Sequence, residues 1–153
     1  MPQSVQIVVF NLDDQRYALH LLCVEQAVRM VEITPLPKAP AIVLGLVNVH
    51  GEVIPVLNIR KRFRLPEREA DLGDQLIIAR PVRRLVALVV DAVNDVHALS
   101  SGEMLAPETI LPQLEHVEGV VKLDEGMVFI QNLDAFLSLE EEQALQASIE
   151  GNS

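Results

Sequence analysis

Between Leu36 and Arg60 the chain is largely apolar, yet proline or glycine interrupts it at Pro37, Pro40, Gly45, Gly51 and Pro55. A helix of ordinary length does not survive that punctuation, because proline removes a backbone donor and glycine carries a high ordering cost. The Val, Ile and Leu residues between the breaks favour a pleated, half-buried surface. We therefore read two strands joined by a tight turn at His50-Gly51, where glycine tolerates a positive φ. The segment has no obvious catalytic group, so it builds and presents a surface.

The same grammar extends outward. Gln6 to Leu12 and Arg16 to Leu21 read as a first hairpin, turning at Asp13-Asp14-Gln15. Val24, Ala27 and Val28 stand at helical spacing with Glu25, Gln26 and Arg29 outward, which predicts a short amphipathic helix before Pro35 and Pro37. Arg60 to Asp74 is charged and turn-rich, an exposed loop with at most one helical turn. Strands follow at Leu76–Ala79, Leu85–Val90 and Asn94–Leu99, with a turn near Asp91. Ser100 and Glu103 have capping-box spacing. A last hairpin spans His116–Leu123 and Met127–Asn132 around Asp124-Glu125-Gly126. Leu133–Leu137 reads as a short helix and Leu139–Ile149 as a longer one, whose first-turn glutamates complement the helix dipole. Strands, a proline-containing connection and more strands recur before Arg60 and after Asp74. That places a subdomain boundary near 60–75 within one domain over 5–140, followed by the C-terminal helix at 139–149 and a tail at 150–153.

Half of the 153 residues are hydrophobic and 3% are aromatic, so the core is aliphatic. Residues 1–84 hold 11 basic and 9 acidic side chains, whereas residues 85–153 hold 1 and 13. This balance, with no Trp and a single Tyr for base stacking, disfavours nucleic acid and points to a protein partner of complementary charge. The longest apolar run, Leu85–Val90, is far short of a membrane span, and Met1-Pro2-Gln3-Ser4 lacks a leader's basic cluster. A soluble cytoplasmic protein without membrane insertion is the expectation. Lone Cys23, between Leu22 and Val24, reads as a small hydrophobe.

The search for chemistry finds none. His20, His50, His97 and His116 have no metal-ligand spacing, and no serine sits in a nucleophile elbow. The glycines are scattered singly, so no phosphate-cradling loop forms and no cofactor is expected. The basic run Arg60, Lys61, Arg62, Arg64 and Arg68 reads either as a solvated loop or as a contact to an acidic surface, including the chain's own acidic second half.

Several motifs, in order, resemble the CheW-type chemotaxis coupling proteins. They are Phe10-Asn11-Leu12 with Tyr17-Ala18-Leu19; Val24-Glu25-Gln26-Ala27-Val28-Arg29; Ile33-Thr34-Pro35-Leu36-Pro37; Ala41 to Asn48; Gly51-Glu52-Val53-Ile54-Pro55-Val56; and Leu88-Val89-Val90-Asp91-Ala92-Val93. The resemblance implies a mainly β fold of two small five-stranded SH3-like β-barrels around a shared core, with short helices and no enzymatic activity. It also implies a scaffold that couples the cytoplasmic tip of methyl-accepting chemoreceptors to the regulatory domain of a CheA-type histidine kinase, recruited to membrane arrays through protein contacts. By position, the kinase-facing residues are Ile42, Val43, Leu44, Asn48, His50 and Gly51, and the receptor-facing residues are Val24, Val28, Arg29, Val86 and Leu88.

Two departures stand out. The family's N-L-R-G pattern becomes Asn48-Val49-His50-Gly51, replacing a permanent five-donor cation by imidazole. A frequent Asp in its D-L-R pattern becomes Asn58. Both point to a divergent member serving a non-standard pathway. A small-ligand sensory module with a pocket between the barrels is the alternative.

Overall fold

The computed structural model describes residues 5–13, 15–63, 65–67, 69, 71–80, 84–99, 104–105, 117–123, 126–133, 136 and 138–151. Among these residues eleven strands dominate. In chain order they are β1 (Val5–Leu12), β2 (Gln15–His20), β3 (Val24–Arg29), β4 (Val43–Val49), β5 (Glu52–Leu57), β6 (Gln75–Ala79), β7 (Val86–Val90), β8 (Ala92–Leu99), β9 (Met104–Leu105), β10 (Val117–Leu123) and β11 (Gly126–Gln131). A 3-10 turn at Leu21–Cys23 precedes β3, α1 is the single turn Ile59–Arg62, and α2 is Leu139–Gly151.

The strands form two sheets, ordered β8-β1-β2-β11-β10-β9 and β3-β6-β7-β5-β4. The first is five strands plus the two-residue β9 at its edge. Most neighbours are antiparallel, with short-loop hairpins at β1–β2, β4–β5, β6–β7 and β10–β11, while β11 pairs with β2 and β5 with β7 in parallel. Sheet membership changes after β2 and again after β7, so the N-terminal hairpin pairs with the C-terminal strands and residues 24–90 build the other sheet. The segment 60–75 connects β5 to β6 inside that second sheet. A recurrence of strands along the chain does not reveal which of them pair, because long-range partners close the first sheet.

Period-two alternation explains the cores. Leu76, Ile78 and Ala87 point into a cluster with Val47, Val49, Ile54 and Val56, so the second subdomain encloses its own core. Ile77, Ala79, Val86, Leu88 and Val90, one residue out of step, point the other way. There they meet Phe10, Leu12, Tyr17 and Leu19 of the first subdomain, while Ile7, Val9, Ala18, Val121 and Val128 fill that subdomain's own core. Strands β6 and β7 are thus buried on both faces, as their continuous apolar sequence requires.

The chain's four Phe and one Tyr all meet at this junction. Tyr17 stacks on Phe63 at 4.7 Å and on Phe10 at 6.0 Å, lies 6.4 Å from Phe129, and Phe63 meets Phe136 edge-on at 5.5 Å. Scarce aromatic area is spent on locking the two subdomains together.

One expectation needs correction and a second needs refinement. Val24–Arg29 is strand β3, not a helix. A register shift between Val24 and Gln26 inserts one residue against β6, so Val24 and Ala27 oppose Ala79 and Ile77 while Val28 opposes Leu76. A bulge therefore mimics the helical spacing of apolar residues. The segment 60–74 has its one helical turn and its described interior residues are exposed or half-buried, as expected of a loop, but Arg60 and Asp74 at its ends are buried. Leu133 is buried with Phe136, but most of the predicted helix 133–137 lies outside the described residues, as do Ser100 and Glu103. The C-terminal helix is present, and Ser138 caps it. Its Oγ accepts from the Glu141 amide at 3.1 Å while Glu141 Oε1 accepts from the Ser138 amide at 2.8 Å, a reciprocal capping box.

Candidate functional site

Hairpin β4–β5 closes through His50 (φ 54°) and Gly51 (φ 85°), both left-handed as a two-residue type I′ turn requires. Histidine tolerates that region better than branched residues do. Asn48 Oδ1 accepts from the Gly51 amide at 2.9 Å and stiffens the turn. Alternation sends Val47, Val49, Ile54 and Val56 inward, leaving the cross-strand pairs Asn48–Val53 and Leu46–Pro55 on the outer face. Val53 is 59% exposed and Leu44, at the register shift beside Gly45, is 38% exposed. At Gly45 the chain of Thr34 crosses so closely that an added Cβ would lie 2.3 Å from the Thr34 carbonyl oxygen. Glycine is obligatory there.

The expected kinase-facing residues therefore divide. Asn48, His50 and Gly51 are exposed at the turn end of the hairpin, Leu44 is exposed near the start of β4, Val43 is half-buried, and Ile42 is buried, its carbonyl accepting from the Asn58 amide at 2.7 Å. The expected receptor-facing residues are not gathered. Arg29 is exposed and Val28 half-buried on the edge strand β3, and Val24 leans on the junction core. Val86 and Leu88 are fully buried in that core and offer a partner no side chain. Their neighbour Val89, facing the other way, instead lines an open cleft of about 730 Å³ together with Ile33, Pro35, Leu44, Asn58 and Arg60, edged by Glu67, Glu69 and Asp74. Reading β7 one residue out of register as a surface strand is what missed Val89, since alternation alone does not say that its other face is also covered.

Arg60 forms the floor of this cleft. Its guanidinium bonds Asp13 and Asp91, each at 2.9 Å, and donates to the Pro66 carbonyl at 3.1 Å. Asp91 also accepts from the Asp13 amide at 2.7 Å. One cation thus ties α1 of the second subdomain to the β1–β2 and β7–β8 turns. Burial alone would make the Arg60 cation easier to discharge, but its two carboxylate partners outweigh that and hold it more firmly protonated. Burial, and secondarily Asp13, push the nearby Tyr17 phenol up, so it stays neutral. Of the two readings of the basic run, the bridge to the acidic second half holds for Arg60 and also for Arg62, which meets Glu141 at 2.6 Å.

Asn58, the departure from the family pattern, caps α1 by accepting from the Lys61 amide at 3.3 Å. Its Nδ2 also donates to Glu67 at 3.1 Å, a bond an aspartate has no hydrogen to make. The amide replaces what would be carboxylate repulsion at the cleft edge.

A family model described as the CheW-like domain matches residues 6–141. The chain belongs to the CheW-like family. It is 28% identical to the chemotaxis protein CheW of Rhizobium meliloti, with 91% of each chain covered. With the chemotaxis protein CheW of Treponema pallidum it shares 27% identity over 94% of this chain and 88% of that protein. The crystal structure of the scaffolding protein TtCheW from Thermoanaerobacter tengcongensis superposes with a TM-score of 0.81 at 30% identity, covering 92% of this chain and 96% of the other. The two-subdomain β fold is shared with that scaffold. The protein is a non-enzymatic coupling adaptor of chemotaxis arrays, in a family that couples receptors to CheA-type kinases. The ligand-pocket alternative is not favoured. Among the described residues no helix is long and apolar enough to cross a membrane.

Proposed function

We propose that the outer face of β4–β5 docks the regulatory domain of a CheA-type kinase and that the cleft along Ile33, Leu44 and Val89 receives the receptor tip. The observation that carries the first assignment is the exposed Val53 beside Asn48 and His50 at the turn end of a stiffened hairpin, with Leu44 exposed near the start of β4, where that face meets the cleft. Burying such apolar area supplies affinity, and the polar rim orients the partner. The five aromatic side chains are committed to the junction, so aliphatic anchors supply the contact here. Val28 and Arg29 lie at the end of β3, just before the segment that enters the cleft, and fit the rim of the receptor site. Through these contacts the protein is held at membrane receptor arrays without entering the bilayer.

Titration calorimetry with the purified regulatory domain tests the reading. Val53→Asp and Leu44→Asp, exposed enough to fold normally, are each expected to weaken binding by about 10-fold or more, the effect of losing one interface anchor. Undiminished affinity in both removes the hairpin from the interface. His50→Arg asks whether the altered turn sets partner choice, and equal capture of partners by both forms would mean that it does not.

A further inference from the structure

The C-terminal part of helix α2 reaches the same outer face that the hairpin leaves partly open. Ile149 lines a crevice with Leu46, Val53, Pro55 and Leu85, and Ser148 Oγ donates to the Lys38 carbonyl at 2.8 Å. The way it is held is unusual for a docked helix. A surface helix ordinarily buries three or four apolar side chains per two turns. Among the described side chains of this 13-residue helix only Leu145 and Ser148 are buried, and Leu145 belongs to none of the three core clusters. Two ion pairs supplement that single apolar anchor: Arg62 Nη2 meets Glu141 at 2.6 Å and Arg84 Nε meets Glu142 at 2.7 Å, while Arg84 Nη2 also donates to Gln146 Oε1 at 2.5 Å. That attachment is also imperfect, for the buried Nε of Arg62 has no hydrogen-bond partner among the described residues. A buried donor left without an acceptor disfavours the docked state, and undocking returns it to water.

We propose that α2 is a displaceable cover, latched by Arg62 and Arg84, over the half of the β4–β5 outer face formed by Leu46 and Pro55. With the latch closed, a partner finds only Leu44 and Val53. With it open, the apolar strip extends along the hairpin, and the released arginines offer two cations to an acidic partner surface. A helix of this length is marginal once it leaves its support, so release unfolds α2 as well as moving it. The cover's target rests on the docking assignment made above, whereas its latch does not.

Hydrogen exchange on the full chain separates the two. In the double variant Arg62→Gln/Arg84→Gln, α2 amides are expected to exchange about 3- to 10-fold faster while β6 and β7 keep wild-type rates, and calorimetry with the kinase regulatory domain should show affinity rising by a similar factor, as expected when the competent fraction rises. Glu141→Gln/Glu142→Gln opens the same latch from the helix side and guards against a folding artefact of the arginine changes. Unchanged α2 exchange in both variants overturns the latch. Faster α2 exchange with unaltered or weaker affinity overturns the cover and leaves hairpin docking standing. Faster exchange with no binding by any form, wild type included, overturns the docking assignment and the cover's target with it.

Discussion

Two arginine bridges join the acidic and basic parts of this chain, and they differ in what surrounds them. At the junction, Arg60 reaches Asp13 and Asp91 beside stacked aromatic rings and a core to which both sheets contribute. Under α2, Arg62 and Arg84 reach Glu141 and Glu142, and among the helix's described side chains Leu145 is the one fully buried apolar group. The ion-pair distances are similar. What separates a joint from a latch is the apolar area that excludes water around the charges, since an exposed pair adds little by itself.

The sharpest way to break this comparison is to remove apolar area from each side. Phe10→Ala at the junction is expected to cost about 3–5 kcal/mol, because a large ring leaves a cavity that two packed sheets cannot close. Leu145→Ala is expected to cost about 1–2 kcal/mol, below the usual range for a core leucine, because a loosely held helix can settle or detach. Urea unfolding of both variants measures the gap. Equal losses would mean that α2 is as integral as the junction.

Deleting the charges gives a smaller contrast. Arg60→Met leaves Asp91 and Asp13 facing each other beneath the cleft. The loss is expected to be about 1–3 kcal/mol, less than for a fully buried pair, because Asp13 is 42% exposed and can rehydrate. Arg62→Met should cost about 0.5–1 kcal/mol, and it also removes the unpartnered Nε. Chemical denaturation at low and high salt checks the order. If Arg62→Met proves the costlier change, the latch is a structural joint.

Much of the architecture was legible because alternation and turn chemistry are local. Hairpins β1–β2, β4–β5 and β10–β11 announce themselves through apolar runs bounded by Asp13, His50-Gly51 and Gly126. What escaped depends on distant partners. Arg60 reads as a loop cation until Asp91, 31 positions away, is brought beside it. Val86 and Leu88 read as surface until the first subdomain covers their face, and β3 reads as a helix because a bulge changes the apolar period. The capping box at Ser138 and Glu141 has the same spacing as Ser100 and Glu103, and spacing alone does not rank one above the other.

The smallest expected effect is in acid and concerns Glu141, which serves as cap and latch at once. Burial alone would raise its carboxyl, but the Ser138 amide and the Arg62 guanidinium outweigh that and hold it below the ordinary glutamate value. The folded state therefore binds the proton less readily than the unfolded chain. The resulting stability is complete above the ordinary value of about 4.3 and is lost as pH falls through the lowered one. Arg62, Arg84 and Glu142 are the neighbouring charges. At pH 7, Glu141→Gln should lower the melting temperature by about 1–3 °C, the shift expected for a loss below 1 kcal/mol in a domain of this size. As pH falls through the lowered value, the wild-type and variant melting temperatures should converge, because Glu141 then becomes neutral like glutamine. A gap that stays the same size across an acid titration would show that the capping geometry, rather than the charge facing Arg62, holds the end of α2.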